Sequence, residues 1–345
     1  MDQEFFPLLT NGTYLNTAYV GPMSKALADF RREHEAAYVQ NGGDYKTDAY
    51  VTLNDTHIAL AEFFGASSSN TFVIPNFSIG IRNVISLLPK KLNILLLKED
   101  YPSMIKSFEE EDFNIHKISL SSNIEEAIDK RLAHGDIDIL ALSIVQYASG
   151  LLVDMNFLKK IKQQYPNLIL IADGTQFLGG HNFNFDSSPF DVLAASGYKW
   201  LLAGFGNGVL MVSDAYLDMI KKNSSTLFNL VFSGHFNILA VASLRFAIDA
   251  FTKNDFSTLM KKKDKISQEA KQLLDANGFI DPWVSQRENH SSIFILKGKK
   301  DLYKRLIKNK IKCVPRGKGV RISFHYFNTN HDLSRLIEVL KKGKI

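Results

Sequence analysis

The sequence predicts an α/β fold in which a mostly parallel, doubly wound sheet is joined to a smaller α+β domain. Three observations carry this. Short apolar runs alternate with amphipathic helical stretches from about Ser24 to Val212. Most of the runs lack the period-2 alternation of half-exposed strands, as strands covered on both faces do. After about Val231 the alternation stops, and two long helical stretches lead into a mixed segment. The expected boundaries are 17–236 for the large domain, and 1–16 with 237–345 for the small one.

The strands expected in the large domain are Thr71–Ile74, Asn93–Leu97, Asn114–Ile118, Ile139–Ile144, Leu168–Ala172, Asp191–Ala195 and Gly208–Val212. Between them the spacing predicts helices over Thr47–Phe64, stopped by Gly65, and over Ser78–Leu88, stopped by Pro89. Further helices are expected over Asn123–His134 and over Met155–Gln164, the latter ending before Pro166. This β-α alternation is the pattern of a parallel sheet wrapped by helices. In the second part, Asn237–Phe251 and Asp255–Ala276 read as long helices. A strand at Ser292–Leu296, a helix at Asp301–Asn309, a strand at Gly319–Phe324 and a last helix from about Asn330 follow.

Composition narrows the function classes. The chain has 345 residues, 45% hydrophobic, which is too apolar for a disordered chain. Its formal charge of +5 is a small excess of 41 basic over 36 acidic residues. The lysines at 261–263 and 265, and at 297, 299 and 300, have no interleaved aromatics, so they read as solvated helix faces and no nucleic-acid partner is expected. Cys313 is the only cysteine, which excludes an intramolecular disulfide and a cysteine-rich metal site. No metal is expected. The acidic N-terminus does not suit a secretory signal, and no apolar stretch approaches the roughly 20 residues that span a bilayer. A cytoplasmic protein without a membrane partner is expected.

In a doubly wound sheet, ligands sit beyond the carboxyl ends of the strands. The segments there are Pro75-Asn76-Phe77-Ser78, Glu99-Asp100-Tyr101-Pro102-Ser103, Gln146-Tyr147, Asp173-Gly174-Thr175-Gln176 and Ser196-Gly197-Tyr198-Lys199-Trp200. Together they offer an amine, carboxylates, a helix N-terminus and an aromatic ring to one crevice. The set suits pyridoxal phosphate (PLP). Lys199 lies in an apolar, aromatic stretch that favours its neutral, nucleophilic form. Asp173 would keep a proton on the pyridine nitrogen. The backbone at Phe77 and Ser78, opening a helix, would take the phosphate with help from the Ser196 and Tyr198 hydroxyls, and Tyr101 would stack on the ring. Taken singly, each residue has a plainer reading: an exposed lysine, a turn-forming aspartate, a helix-capping serine, a loop tyrosine. The alternating Gly204, Gly206 and Gly208 do not make a dinucleotide motif, and neither a G-x-S-x-G elbow nor a phosphate-binding P-loop is present.

These residues resemble a known family, the class V aminotransferases, which include cysteine desulfurases, kynureninases and isopenicillin-epimerase-like enzymes. The likeness runs over nearly the whole chain. It lies in Tyr14-Leu15-Asn16-Thr17-Ala18-Tyr19-Val20-Gly21-Pro22, in Asp173-Gly174-Thr175-Gln176, in Ser196-Gly197-Tyr198-Lys199, and in the closing Arg321-Ile322-Ser323 with Tyr326-Phe327-Asn328-Thr329. The resemblance implies a fold-type-I PLP homodimer with its active site at the dimer interface. It makes Lys199 the Schiff-base lysine, Asp173 the partner of the ring nitrogen and Gln176 the partner of the phenolic oxygen. Ser196, Tyr198 and the backbone at Phe77 and Ser78 would hold phosphate. Tyr101 would stand in the place of a stacking histidine, and Gln146 beside the ring. His235 would reach the neighbouring subunit's phosphate. Arg321 would anchor the substrate α-carboxylate, with Asn16 also facing the substrate.

The implied function is a PLP-dependent transformation of a small α-amino acid, with transamination first. A lyase or hydrolase of kynureninase-like or C–S lyase-like type, or an epimerase, is the alternative, and a non-catalytic binding protein on the same fold a remote one. Departures from the family bear on this. Desulfurases carry a nucleophilic cysteine on a flexible loop, whereas Cys313 sits in Ile311-Lys312-Cys313-Val314, which reads as one strand before a Pro315–Gly319 turn. Cys313 is therefore expected to be a strand or core cysteine.

Overall fold

The computed structural model describes residues 5–298 and 300–342. Residues 1–4, Lys299 and residues 343–345 lie outside the described residues, and with them the extreme acidic start and one lysine of the second basic run.

After β1 (Thr13–Tyr14), α1 (Lys25–Asn41) and α2 (Gly43–Phe64), strands and helices alternate. They are β2 (Thr71–Ile74), α3 (Phe77–Ser86), β3 (Asn93–Leu97), α4 (Pro102–Glu109), β4 (Asn114–Ile118), α5 (Ile124–Leu132), β5 (Ile139–Ser143) and α6 (Met155–Gln164). Next come β6 (Ile169–Asp173), β7 (Val192–Ser196), β8 (Gly208–Val212), α7 (Asp214–Ile220) and α8 (Ser224–Val231). The remainder is α9 (Ile238–Lys253), α10 (Phe256–Ala276), α11 (Pro282–Gln286), β9 (Ile293–Lys297), α12 (Lys300–Lys308), β10 (Ile311–Lys312), β11 (Val314–Arg316), β12 (Gly319–Ser323) and α13 (Asn330–Lys341).

The main sheet has seven strands in the order β2-β8-β7-β6-β5-β3-β4. Strands β3 to β7 pair in parallel, and β8 runs antiparallel to both β7 and β2. The link from β7 to β8 holds no crossover helix, so β8 must return antiparallel. Because β2 opposes β8 just as β7 does, the carboxyl ends of β2, β3, β5, β6 and β7 share one edge. Chain order reverses between β3 and β5, which opens a crevice at that edge.

The strands look uniformly apolar because both faces are covered. Ile94, Leu96, Ile139, Ala141, Ile169 and Ile171 enter one apolar layer, while Leu95, Leu97, Leu140, Leu142, Leu170 and Ala172 enter the opposite one. The edge strand β4 is the exception, with no fully buried residue in Asn114–Ile118. Helix ends follow local chemistry. Gly65 closes α2 at φ +58°, where L side chains are strained, and a Cβ there would lie 1.8 Å from Asn184 Nδ2. Asn76 caps α3 by accepting from the Ile79 amide, and Asp154 caps α6.

A third cluster joins Leu15 to residues of α10–α13 and of the antiparallel sheet β11-β12-β9. β1 pairs in parallel with β10, tying the N-terminal segment to this part. The expected boundary at 236/237 falls just before α9, yet α9 packs Val241, Leu244, Ala247, Ile248 and Phe251 into the main-sheet core.

Several local expectations are corrected. The strand expected at residues 311–314 breaks at Cys313 into β10 and β11, and β11 continues through Pro315 and Arg316. β11 is the edge of its sheet, where a proline without an N–H is tolerated. The turn shrinks to Gly317 and Lys318, with Gly317 at φ +52°. Lys263 leaves the expected solvated face. It falls in register with Leu259, Met260, Ile266 and Ala270 on the buried stripe of α10, is 1% exposed, and donates to the Gly180 carbonyl while pairing with Asp264. Helices α1, α4, α7, α8 and α11 had no counterpart among the predicted elements. In α1 only Leu27 is buried, so there is no apolar stripe to read. Among the described residues, no helix is long and apolar enough to cross a membrane.

Candidate active site

The crevice at the carboxyl edge holds a small cavity lined by Phe77, Ser78, Tyr101, Asp173, Gln176, Ser196, Tyr198 and Lys199, along with Ser143, Val145, Tyr147 and Thr175. The first eight come from four separate sequence segments, and the sheet brings their ends together. Wider hollows lie around Phe232–Asn237 and around Glu62 and Phe256, but neither joins an amine and a buried carboxylate on one wall.

Asp173 ends β6 and is buried. Burial raises its pKa to about 6, against the opposing pull of the Thr175 hydrogen bonds and of Lys199. Its Oδ1 accepts from the Thr175 amide at 2.8 Å. Lys199 follows β7, and burial lowers its pKa to about 8. Arg321 and Arg316 push the same way, and Asp173 opposes them. Its Nζ lies 5.5 Å from the Tyr198 ring centre. The opening segment packs against the lysine's backbone, since a Cβ on Gly21 would lie 2.1 Å from the Lys199 carbonyl oxygen.

At the other end of the cavity, α3 begins. The Phe77 amide donates to Ser196 Oγ at 2.9 Å, and Ser78 Oγ shares a hydrogen bond with Ser103 Oγ. The Ser78 amide lies in the first turn, where a helix supplies no internal acceptor. Tyr198 stacks on Phe205 with ring centres 4.9 Å apart, and burial pushes its phenol up to about 12. Tyr101 meets Phe77 and Tyr147 edge-on. Gln176 lines the wall, but its Oε1 accepts from Trp200 Nε1 at 2.7 Å and its Nε2 donates to the Ala18 carbonyl. One amide hydrogen is left to face the cavity.

Four expected residues lie outside this lining. Gln146 is fully buried beneath it, donating to the Ser143 carbonyl and reaching Asp100. Asn16 keeps a buried, unpartnered Oδ1 in the opening turn. His235 sits beside Tyr50, 3.5 Å from its hydroxyl, on the separate hollow. Arg321 stands behind Tyr147, 1% exposed, with Nη1 donating to the Tyr147 carbonyl at 2.5 Å. Burial, with help from the nearby Arg316, lowers its pKa to about 10.

Asp100, Ser143, Thr175, Tyr147 and Arg316 had been given no role from the sequence. Asp100 is buried and accepts from the amides of Ser143 at 2.8 Å and Tyr101 at 2.6 Å, and from the Ser143 hydroxyl. It thereby fixes Tyr101 across the β3–β5 crevice. The signal for it was its place shortly after the apolar run Asn93–Leu97.

The donor set fits PLP. A desolvated amine, a buried carboxylate that can face a ring nitrogen, a helix N-terminus flanked by hydroxyls and an aromatic ring line one small cavity.

The comparisons agree with this fit. A relative, the uncharacterized aminotransferase YcbU of Bacillus subtilis (strain 168), is 22% identical over 97% of this chain and 95% of its own. Among solved structures, C-DES with glycine covalently linked to its PLP cofactor superposes at a TM-score of 0.88, with 15% identity over 99% of each chain. C-DES is also described as a cystine C–S lyase in complex with its product, cysteine persulfide. The apo cysteine desulfurase of Thermococcus onnurineus NA1 superposes at 0.81, with 15% identity over 99% of this chain and 96% of that one. Residues 17–336 match the family described as aminotransferase class-V. The chain belongs to that family of pyridoxal-phosphate enzymes.

Proposed function

We propose that the protein is a PLP-dependent enzyme that transfers the amino group of a small α-amino acid, with Lys199 as both the cofactor's anchor and the proton-transferring base. The observation that carries this is the convergence of Lys199 and Asp173 on one cavity wall from adjacent strand ends. When bound, PLP supplies an electron sink that acidifies the Cα–H bond of an amino acid. The chain supplies the rest. Asp173 holds a proton on the ring nitrogen. Ser196, the first turn of α3 and Tyr198 hold the phosphate, and Tyr101 fixes the ring plane. Arg321 binds the α-carboxylate with a planar fork that lysine cannot reproduce. The Lys199 amine, with its pKa lowered to about 8, takes and returns a proton near neutral pH. We assign the active form as a homodimer in which His235 approaches the partner's site.

Desulfuration through a nucleophilic cysteine is disfavoured. Cys313 is buried, donates to the Ile311 carbonyl, and has its thiol pushed up to about 12 by burial.

The purified protein should be yellow, lose its visible absorbance on borohydride treatment, and carry the adduct on Lys199. Amino acids should then be screened with keto acid, pyruvate, sulfide and anthranilate assayed as products. Keto acid formed with an amino acceptor supports transamination. Sulfide or anthranilate would move the assignment to a lyase or hydrolase. Protein that stays colourless after incubation with PLP overturns the reading, and Lys199→Ala should abolish turnover.

A further inference from the structure

Arg321 has a second guanidinium beside it. Arg316 ends β11, and the hairpin pairs Val314 with Arg321 and Arg316 with Gly319. Tyr147 joins the two arginines. Its carbonyl accepts from Arg321 Nη1, and the Arg316 guanidinium carbon lies 5.6 Å from its ring centre. The same tyrosine lines the cavity together with Lys199 and Asp173.

Neither cation is balanced by the chain. Arg32, Arg82, Arg131, Arg245 and Arg287 each meet a carboxylate, but the ion pairs of the described residues include neither Arg316 nor Arg321. The Nε atoms of both are buried without a hydrogen-bond partner. Each arginine also repels the proton of Lys199, so both guanidinium charges are felt at the amine. Holding the buried Arg321 charge beside the half-buried Arg316 charge costs free energy that an anionic ligand recovers. One α-carboxylate saturates one planar fork in a bidentate contact. The second fork then has no occupant.

We propose that Arg316 is a specificity-determining residue, and that the site takes an α-amino acid bearing a second carboxylate, with the α-carboxylate on Arg321 and the distal one on Arg316. This rests on the reading of the cavity as an amino-acid site. The Tyr147 side chain separates the two forks and sets the spacing between the two acid groups.

The test is a titration of the PLP-loaded protein with aspartate against asparagine and glutamate against glutamine, following the cofactor absorbance. The members of each pair match in shape and differ in charge. The acid should bind at least about tenfold more tightly than its amide, as expected of a charge-assisted contact. Arg316→Gln should erase that preference and leave asparagine and glutamine binding unchanged. Arg316→Lys, which keeps charge but loses the fork, should retain part of it. Equal affinities within both pairs overturn the proposal. So does an Arg316→Gln loss shared equally by the amides, because it would mean that both arginines hold the α-carboxylate. Normal PLP uptake with no acid preference defeats this proposal alone, whereas failure to take up PLP on Lys199 defeats the functional reading and this proposal with it.

Discussion

At the scale of single residues, the site depends on two ionisable groups that burial displaces, Lys199 downwards and Asp173 upwards. Lys199 is lowered from 10.5 to about 8. A lysine with a lowered pKa binds fewer protons in the folded than in the unfolded chain between those values. Its contribution to stability is therefore unfavourable below about pH 8 and is relieved as pH rises towards 10.5. The same shift makes a pH prediction for chemistry. Only the neutral amine attacks an aldehyde, so the rate at which cofactor-free protein takes up PLP should climb about tenfold per pH unit below 8 and flatten above it. Stopped-flow absorbance between pH 6 and 10 measures this. A profile still rising steeply above pH 9.5 would mean that Lys199 is solvated like a surface lysine. Asp173, raised to about 6, should add an acid limb, because below that pH the carboxyl is neutral and no longer pairs with a protonated ring nitrogen.

At the scale of elements, the phosphate end of the site is only as rigid as the start of α3. Asn76 caps that helix, its Oδ1 accepting the Ile79 amide at 3.1 Å, while Ser196 Oγ reaches across from β7 to the Phe77 amide. Asn76→Ala should destabilise the protein by about 1 kcal/mol and weaken PLP binding, because the first-turn amides would no longer be held in place. Thermal melts and a fluorescence titration with PLP read the two effects, and a destabilised variant with unchanged PLP affinity would detach the helix start from the phosphate. The elements also show what the sequence could disclose. Strands β2, β3 and β5 to β8 were legible because cover on both faces leaves near-continuous apolar runs, and Lys199, Asp173 and Tyr101 because each lies within a few residues of the end of one. The order β6-β5-β3-β4 and the reversal of β8 left no local trace, being set by crossovers and by a short connection. Arg316 was hidden behind a proline that read as a turn, and its contact with Tyr147 joins segments far apart in the chain. Lys263 was misread because a basic run resembles a solvated face until the helix phase places one member on the buried stripe.

At the scale of the whole molecule, the proposed homodimer needs a contact surface, and several large apolar side chains stand exposed. Tyr38, Val39, Tyr50, Val51 and Phe205 are 56–84% exposed, and exposed apolar side chains that form one patch mark a contact surface. They are not scattered. Phe205 stacks on Tyr198 beside Lys199, Tyr50 meets His235, and the glycine-rich loop carrying Phe205 lies against Met23 and Arg31 at the start of α1. A two-fold contact through α1, α2 and this loop would cover these residues and carry His235 towards a partner's cavity. The protein should therefore sediment at about twice 38.9 kDa. Val39→Glu places a charge at the most exposed of these positions, where it costs a folded monomer about 0.5 kcal/mol or less. The variant should sediment as a monomer with near-normal circular dichroism and bind PLP more weakly, since each cavity would lose the partner's His235. Wild-type protein at 38.9 kDa that binds PLP tightly would show that one chain completes the site, and would leave the apolar face to some other contact.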